Sequence, residues 1–274
     1  MTANSQESQE LRNLAYLKSQ TRENLSSHFV VQLLDSFCHE GPNGAHQCLV
    51  FELLGPSVDK VLADYQQVGD QLCPEIISRM SRQVLEAVRF LQSVCMCHGG
   101  ESTLQGGTFH WLCAILTCGT DISGRNIAFS CSQLSKAGEN DLFAVLGSPE
   151  IEPLSRLDGT PLPDGFPTQL VKAAEWVDWI DEDDEDIRLL DYGESFLRGN
   201  EPQHLAQPGS LHVPETIFTD RFDYRVDLWR VGCAVRKFTH WDNDLLKDRH
   251  RSIHFYSRVL HSGILARSRY WFSK

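Results

Sequence analysis

A short polar loop that runs directly into an apolar segment constrains this chain more than any other feature. Asp121 and Asn126 stand five residues apart in the loop, and the apolar run 127–129 follows at once. Such a run predicts a strand that holds the loop in place. The spacing suits phosphoryl transfer, in which a carboxylate accepts a hydroxyl proton and an amide oxygen binds Mg²⁺. Asp and Asn are also ordinary turn residues, so the spacing alone is a weak signal.

Three further motifs follow in order along the chain. Residues 188–190 are typical of a short buried strand, and Asp191-Tyr192-Gly193 comes directly after them. Val213-Pro214-Glu215 is next, and then the run 223–232, in which Asp227, Trp229 and Gly232 have the spacing Asp-x-Trp-x-x-Gly. With the first loop, these motifs resemble the catalytic loop, Asp-Phe-Gly, Ala-Pro-Glu and large-lobe helix of the protein kinases, Tyr192 taking the Phe place.

The resemblance implies a role for each motif residue. Asp121 would orient and deprotonate a serine or threonine hydroxyl, with ATP as the phosphate donor. Asn126 and Asp191 would bind Mg²⁺ on the phosphates. Glu215 and Asp227 would be structural.

The linker that would contact adenine lies upstream. Residues 29–34 and 47–54 are predicted strands joined by a hairpin turn at 41–44, and Gly55-Pro56 should end the second. Residues 48–55 resemble SR-protein kinases and their fungal relatives. In that family Phe51 would guard the back of the nucleotide pocket, and the Glu52 and Leu54 backbones would contact ATP. A plain buried strand is the alternative.

Two amphipathic helices are predicted. Residues 5–19 carry apolar side chains at helical spacing, and residues 74–92 begin with a proline and continue the same period for longer. By resemblance the first is the small-lobe helix, with Glu10 as the glutamate that pairs with a catalytic lysine; an exposed surface helix is the alternative. The second would be the central helix of the large lobe.

The resemblance is interrupted after that helix. His98-Gly99 matches the start of a catalytic loop, with His98 in a structural role, but the next match is Asp121, and residues 100–120 show no clear period. Removing them would restore a continuous His-Gly-Asp motif, and the permitted codons allow splice donor and acceptor sites at the two ends. We hypothesise a retained intron or an in-frame insertion; a functional loop is the alternative.

Other family features are missing from the sequence. It contains no Gly-x-Gly-x-x-Gly and no strand lysine before the first helix, and Ser123 stands where serine/threonine kinases usually have Lys.

We therefore expect an α+β, protein-kinase-like fold: a partial small lobe and hinge (1–54), a mostly helical large lobe (55–233) with the insert 100–120, and a divergent basic tail (234–274). The predicted function is an impaired serine/threonine kinase. A pseudokinase or binding fragment is the alternative, and the Asp227 motif speaks against a small-molecule kinase.

The composition of the chain limits the kinds of molecule that it is expected to bind. The net charge of −12 argues against nucleic acid and favours a basic protein substrate, Arg/Ser-rich by resemblance, although residues 235–274 carry nine Lys/Arg against three Asp. The acidic run 181–186 is predicted to be a solvated turn, with substrate docking as the alternative. No apolar run is long enough to span a membrane, so we expect the cytosol or nucleus.

The cysteines and the middle of the chain give weaker signals. Nine cysteines without regular spacing favour small buried thiols over disulfides, and over a zinc site at Cys95, Cys97 and His98. Turn residues across 132–178 predict an extended insert against the large lobe.

Overall fold

The computed structural model describes residues 7–21, 25–41, 44–98, 122–162, 166–172, 182–202, 205, 213–218 and 222–239. The helices are α1 (Gln9–Gln20), α2 (Val58–Val68), α3 (Pro74–Ser93), α4 (Glu139–Leu146), α5 (Pro214–Phe218) and α6 (Val226–Thr239). The strands are β1 (Leu33–Gly41), β2 (Gly44–Phe51), β3 (Leu54–Ser57), β4 (Met96–Cys97), β5 (Ile127–Ser130), β6 (Ile151–Pro153), β7 (Gln169–Val171), β8 (Ile187–Leu189) and β9 (Phe196–Leu197). The predicted α+β class is confirmed.

Helix α3 is the centre of the fold. Pro74 starts it, because a proline at the first helical position gives up only an N–H that would have no intrahelical partner. The buried face includes Met80, Val84 and Leu91, none more than 2% exposed. Since fully burying such a side chain contributes about 1.5–3 kcal/mol, this face is a major source of stability. The helix packs against α6 and β8 and so sets where both lie.

A three-stranded antiparallel sheet of β3, β5 and β8 lies beside this helix, with β5 in the middle. All four residues of β5 and all three of β8 are buried. The predicted strands at 127–129 and 188–190 are therefore confirmed, the second shifted by one residue. The sheet joins three segments that are far apart in sequence.

The β1–β2 hairpin forms a separate two-stranded sheet with both faces largely exposed. The predicted first strand was placed too early, at 29–34. Phe29 ends a 3₁₀ turn (Leu25–Phe29), and Val30 instead forms a bridge to Leu189 of β8. The turn prediction at 41–44 is confirmed by the pairing of Gly41 with Gly44. Within the described residues this sheet thus has two strands, the number that the sequence predicted.

The predicted end of the second strand at Gly55-Pro56 was also wrong. Leu54–Ser57 form β3, in which Leu54 pairs with Ser130 and Ser57 with Ala128. The register shifts between these two pairs, so Pro56 lies at an irregularity and its missing N–H costs little.

The described part of the predicted insert has its own short elements. A 3₁₀ turn (Leu134–Lys136), α4 and the β6–β7 hairpin follow β5. Ile151, Leu170 and Val171 of the hairpin are each more than half exposed. In the described ranges no helix is both long enough and apolar enough to cross a membrane.

Candidate active site

Pairing of β5 with β8 brings two predicted metal ligands to one end of the three-stranded sheet. Ile127 pairs with Leu189, and the Leu190 N–H donates to the Asn126 carbonyl at 2.8 Å. Asn126 therefore enters β5 at the point where the chain leaves β8 and reaches Asp191. Both residues are half-buried. The antiparallel ladder, rather than sequence proximity, creates this juxtaposition.

Asp191 has a backbone conformation that few residues adopt. Its φ of 63° lies in the left-handed region, which Asp tolerates better than most side chains. The Gly193 N–H donates to its Oδ1 at 3.3 Å and stabilises the turn. Burial raises the pKa of the Asp191 carboxyl, and this hydrogen bond opposes the shift. Such backbone strain is often retained at functional sites.

His98 ties the end of β4 to the segment around Asp191. Its N–H donates to Asp227 Oδ2 at 2.8 Å, and its Nε2 lies 2.8 Å from the Leu190 carbonyl oxygen. Because a carbonyl only accepts, we assign the ring proton to Nε2. Its own carbonyl accepts from Ser195 Oγ at 2.8 Å. His98 thus joins α6, β8 and β9.

The imidazole of His98 is neutral at physiological pH. Its side chain is buried, and this burial, with the nearby Arg230 guanidinium, lowers the pKa to about 4, although the hydrogen bond to Leu190 opposes the shift. Tyr192 is fully buried beside it, with ring centroids 5.0 Å apart. The aromatic residue after Asp191 therefore packs into the core.

Helix α1 lies against the segment that follows Asp191. Asn13 Nδ2 donates to the Tyr192 and Ser195 carbonyls at 2.7 and 2.8 Å, and Gln9 Nε2 donates to Ser195 at 3.1 Å. Glu10, on the same first turns, is half-buried. Burial and then the Asp191 carboxylate raise the pKa of Glu10. Among the described residues no lysine or arginine contacts Glu10.

The predicted linker is fixed to the sheet through Arg188, a side chain that the motif analysis did not single out. Glu52 forms an ion pair with Arg188 of β8, Oε2 to Nε at 3.2 Å, and its Oε1 accepts from the Gln32 N–H at 2.9 Å. The Arg188 side chain is 7% exposed. Phe51 is half-buried against the main core, and Leu54 pairs with β5. An arginine inside an apolar strand was the available signal, since a buried cation needs a partner.

Glu215 and Asp227 lie on helices α5 and α6. Glu215 is in the first turn of α5, after the fully buried Val213. Asp227 is fully buried at the start of α6 and holds the His98 N–H. Asp121 and residues 100–120 lie outside the described residues. So does the tail beyond 239.

The acidic run corrects a prediction. Asp183 and Asp184 are exposed, but Glu185 is 4% exposed and accepts from the Ser132 N–H and Oγ, both at 2.7 Å, and from Ser130 Oγ. These hydrogen bonds lower the pKa of Glu185 in spite of its burial. Arg79 of α3 donates to the carbonyls of Glu182, Asp183 and Glu185, and Gln83 bonds the Asp186 carboxylate. The predicted solvated turn is therefore confirmed for residues 182–184, whereas Glu185 and Asp186 are held by hydrogen bonds to side chains of α3, β5 and the segment after β5.

The cysteine and histidine cluster has no metal-binding geometry in the described ranges, where no three His, Cys, Asp or Glu residues group together. Cys95 is exposed with a φ of 57°, Cys97 is buried, and His98 is engaged as above.

These features together are those of a protein-kinase-like chain. A three-stranded sheet lies beside a long helix, a polar loop enters β5, an acidic residue follows β8, and an aspartate is buried on α6. Comparison with known proteins supports this class. The chain is 25% identical over 210 residues to "Serine/threonine-protein kinase SRPK" of Physarum polycephalum, covering 77% of this chain and 45% of that protein. It is 23% identical over 220 residues to "Serine/threonine-protein kinase AFC1" of Arabidopsis thaliana, covering 80% and 36%.

A shorter stretch is more similar to "Protein kinase dsk1" of Schizosaccharomyces pombe, with 34% identity over 86 residues, covering 31% of this chain and 15% of that protein. The chain is thus similar to proteins named as serine/threonine kinases, and its match spans less than half the length of these relatives. A solved kinase domain, PF14_0431, aligns with a TM-score of 0.48 and 17% identity, over 83% of this chain and 51% of that one. No family model matches the sequence.

Proposed function

We propose that this chain binds ATP with Mg²⁺ in the cleft between the linker and the Asn126–Asp191 end of the sheet. The supporting observation is the order of strands. Leu54 pairs with Ser130, four residues along β5 from Asn126. At the rise of an extended strand this is about 13 Å, which is the scale of a nucleoside triphosphate. Adenine at the linker would therefore place its phosphates beside Asn126 and Asp191.

The donor atoms suit the metal. Mg²⁺ prefers carboxylate and amide oxygens, which Asp191 and Asn126 supply. When bound, the ion would neutralise charge on the phosphates. We propose that Asp121 orients the substrate hydroxyl and accepts its proton, and that the Phe51, Glu52 and Leu54 segment orients adenine. The substrate would be a Ser/Thr-containing protein, Arg/Ser-rich in keeping with the SRPK-type relatives, and the compartment the cytosol or nucleus.

The contacts at this site favour weak kinase activity in the 274-residue chain. Burial and the Asp191 carboxylate raise the pKa of Glu10, and among the described residues no lysine or arginine forms an ion pair with Glu10. Positioning and charge neutralisation supply nearly all the catalysis of phosphoryl transfer. These observations favour a second candidate function, a pseudokinase that binds partners through its large lobe.

Nucleotide binding tests the proposed site. We expect a fluorescent ATP analogue to bind weakly, and more tightly when Mg²⁺ is added. Asp191→Asn should remove most of the Mg²⁺ enhancement, about tenfold or more, because a charge-assisted metal contact is lost. Asp158→Asn is the matched control, since Asp158 is an exposed carboxylate on a turn of the insert. Equal Mg²⁺ enhancement in both variants would contradict the proposed site.

A further inference from the structure

Asp59 joins the first turn of α2 to the loop that carries Asn126. Its N–H donates to the Gly124 carbonyl at 3.0 Å, which extends the contact between β3 and β5 beyond the sheet. Gly124 is buried against the Asp59 side chain, and a Cβ at position 124 would overlap the Asp59 carboxylate. Only glycine allows this close approach.

The Asp59 carboxylate also reaches α6. Lys237, in the last turn of that helix, donates from Nζ to Asp59 Oδ2 at 2.6 Å. Arg125 Nε lies 3.9 Å from the same oxygen. The Asp59 side chain is only 17% exposed, whereas both cations are more than half exposed. One shielded carboxylate therefore connects α2, α6 and the loop before β5.

The connected loop holds Asn126. The Asn126 N–H donates to the Ser123 carbonyl at 3.0 Å and closes a turn, and its own carbonyl accepts from Leu190. Gly124 and Arg125 are the middle of this turn, and both contact Asp59. The Asn126 backbone is thus set on one side by β8 and on the other by Asp59.

We propose that Asp59 and Lys237 are positioning residues for the Asn126 carboxamide. Through the 123–126 turn their ion pair holds this side chain where a metal on the nucleotide phosphates would meet it. The proposal rests on the proposed function, since it assumes that Asn126 is a Mg²⁺ ligand. It assigns to residues on α2 and α6, outside the motifs, a role that acts only through Asn126.

The test measures the Mg²⁺ concentration that half-saturates binding of a fluorescent ATP analogue to the full chain. Asp59→Asn keeps the side-chain shape and removes the charge, and Lys237→Met removes the partner. Each should raise the half-saturating Mg²⁺ about twofold to fivefold, the scale of a partly exposed ion pair, and leave Mg²⁺-free affinity unchanged. Lys237→Arg should restore the original value. Lys172→Met is the matched control, because Lys172 pairs with Glu150 at 3.1 Å on the distant β6–β7 hairpin.

A second measurement separates this proposal from the proposed function. Deuterium uptake by a peptide spanning 122–130 should be faster in Asp59→Asn and Lys237→Met than in the unaltered chain, with uptake in α3 unchanged. If the unaltered chain shows no Mg²⁺-dependent binding, the proposed function fails and the uptake result alone decides the positioning role. Unchanged uptake at 122–130, or equal changes in Mg²⁺-free and Mg²⁺-bound affinity, would overturn the proposal.

Discussion

His98 makes three of the hydrogen bonds that hold the segment after α3. They run to Asp227, Leu190 and Ser195, and the ring packs on Tyr192. A charged imidazole would need solvation that this site does not offer, so the folded chain keeps the ring neutral. The contribution of His98 to the free energy of unfolding therefore depends on pH.

The sign of this contribution follows from the depressed pKa. The folded value is about 4 against the ordinary 6.5, so the unfolded chain binds the proton first as the pH falls. Stability is fully present above pH 6.5 and is lost as the pH falls from there towards 4. Between pH 7 and pH 5 the unfolding free energy should drop by about 2 kcal/mol from this residue.

Urea unfolding at both pH values tests this expectation. His98→Gln removes the titrating group and keeps a side-chain N–H for Leu190. The drop between pH 7 and pH 5 should therefore be about 2 kcal/mol smaller in the variant than in the unaltered chain. Comparing the two proteins cancels the opposite contribution of Glu10 and Asp191, whose pKa values are raised. An identical drop in both proteins would show that His98 is not the titrating group.

At the scale of elements, the linker is held to β8 by one ion pair. Arg188 is almost fully shielded in the middle of a buried strand, and Glu52 is its carboxylate partner. The guanidinium also donates to the Ile187 carbonyl at 3.1 Å and lies 3.3 Å from His28. Removing only the carboxylate would leave a buried cation without a counter-charge.

Single and double variants should therefore behave differently. Glu52→Gln should destabilise the chain by about 3 kcal/mol, because breaking a buried pair from one side is costly. Arg188→Met with Glu52→Leu should cost much less, since no charge remains to be compensated. Denaturant unfolding of Glu52→Leu, Arg188→Met and the double variant forms the cycle, with Glu52→Gln measured beside them. Additive single effects would mean that the pair is not coupled.

Most elements that the sequence predicted have side chains that face a core. Helices α1 and α3 were predicted from apolar periods, strands β5 and β8 from short apolar runs, and helix α6 from its motif. Strand β1 shows no such pattern, because Asp35 to Glu40 pair with β2 through backbone hydrogen bonds while both faces stay largely exposed. Strand β3 was missed because Gly55 and Pro56 act as breakers in isolation, whereas an irregular register accommodates them here.

The candidate site likewise contains residues that the sequence predicted and residues that it did not. Motif spacing predicted Asn126 and Asp191 as metal ligands, and the pairing of β5 with β8 brings the two residues to one end of the sheet. The motifs did not predict the contacts of Glu185 or Asp59, because each depends on a partner far along the chain: Ser132 lies 53 residues from Glu185, and Lys237 lies 178 residues from Asp59. Charge runs in a sequence do not show which carboxylate is buried. Such pairs appear only once the chain is folded.

At the scale of the whole molecule, the core around α3 is better supported by the described contacts than the β1–β2 hairpin. Helix α3, the three-stranded sheet and α6 share one buried core. The β1–β2 hairpin is largely exposed, and the Asp191 carboxylate raises the pKa of Glu10, which forms no ion pair with a described lysine or arginine. Folding and catalysis should therefore be separable in this chain.

The last prediction concerns transfer itself. The 274-residue chain should give negligible incorporation of labelled phosphate into a basic Ser-containing peptide. A version without residues 100–120, and preceded by a small-lobe segment with a glycine-rich loop and a strand lysine, should gain activity by about a thousandfold or more, because each preorganised electrostatic contact contributes about 10²–10³ in rate. Asp121→Ala or Asp191→Ala should then abolish it. Robust transfer by the unaltered chain would contradict the impaired site, and inactivity of both proteins with normal unfolding curves would favour the pseudokinase.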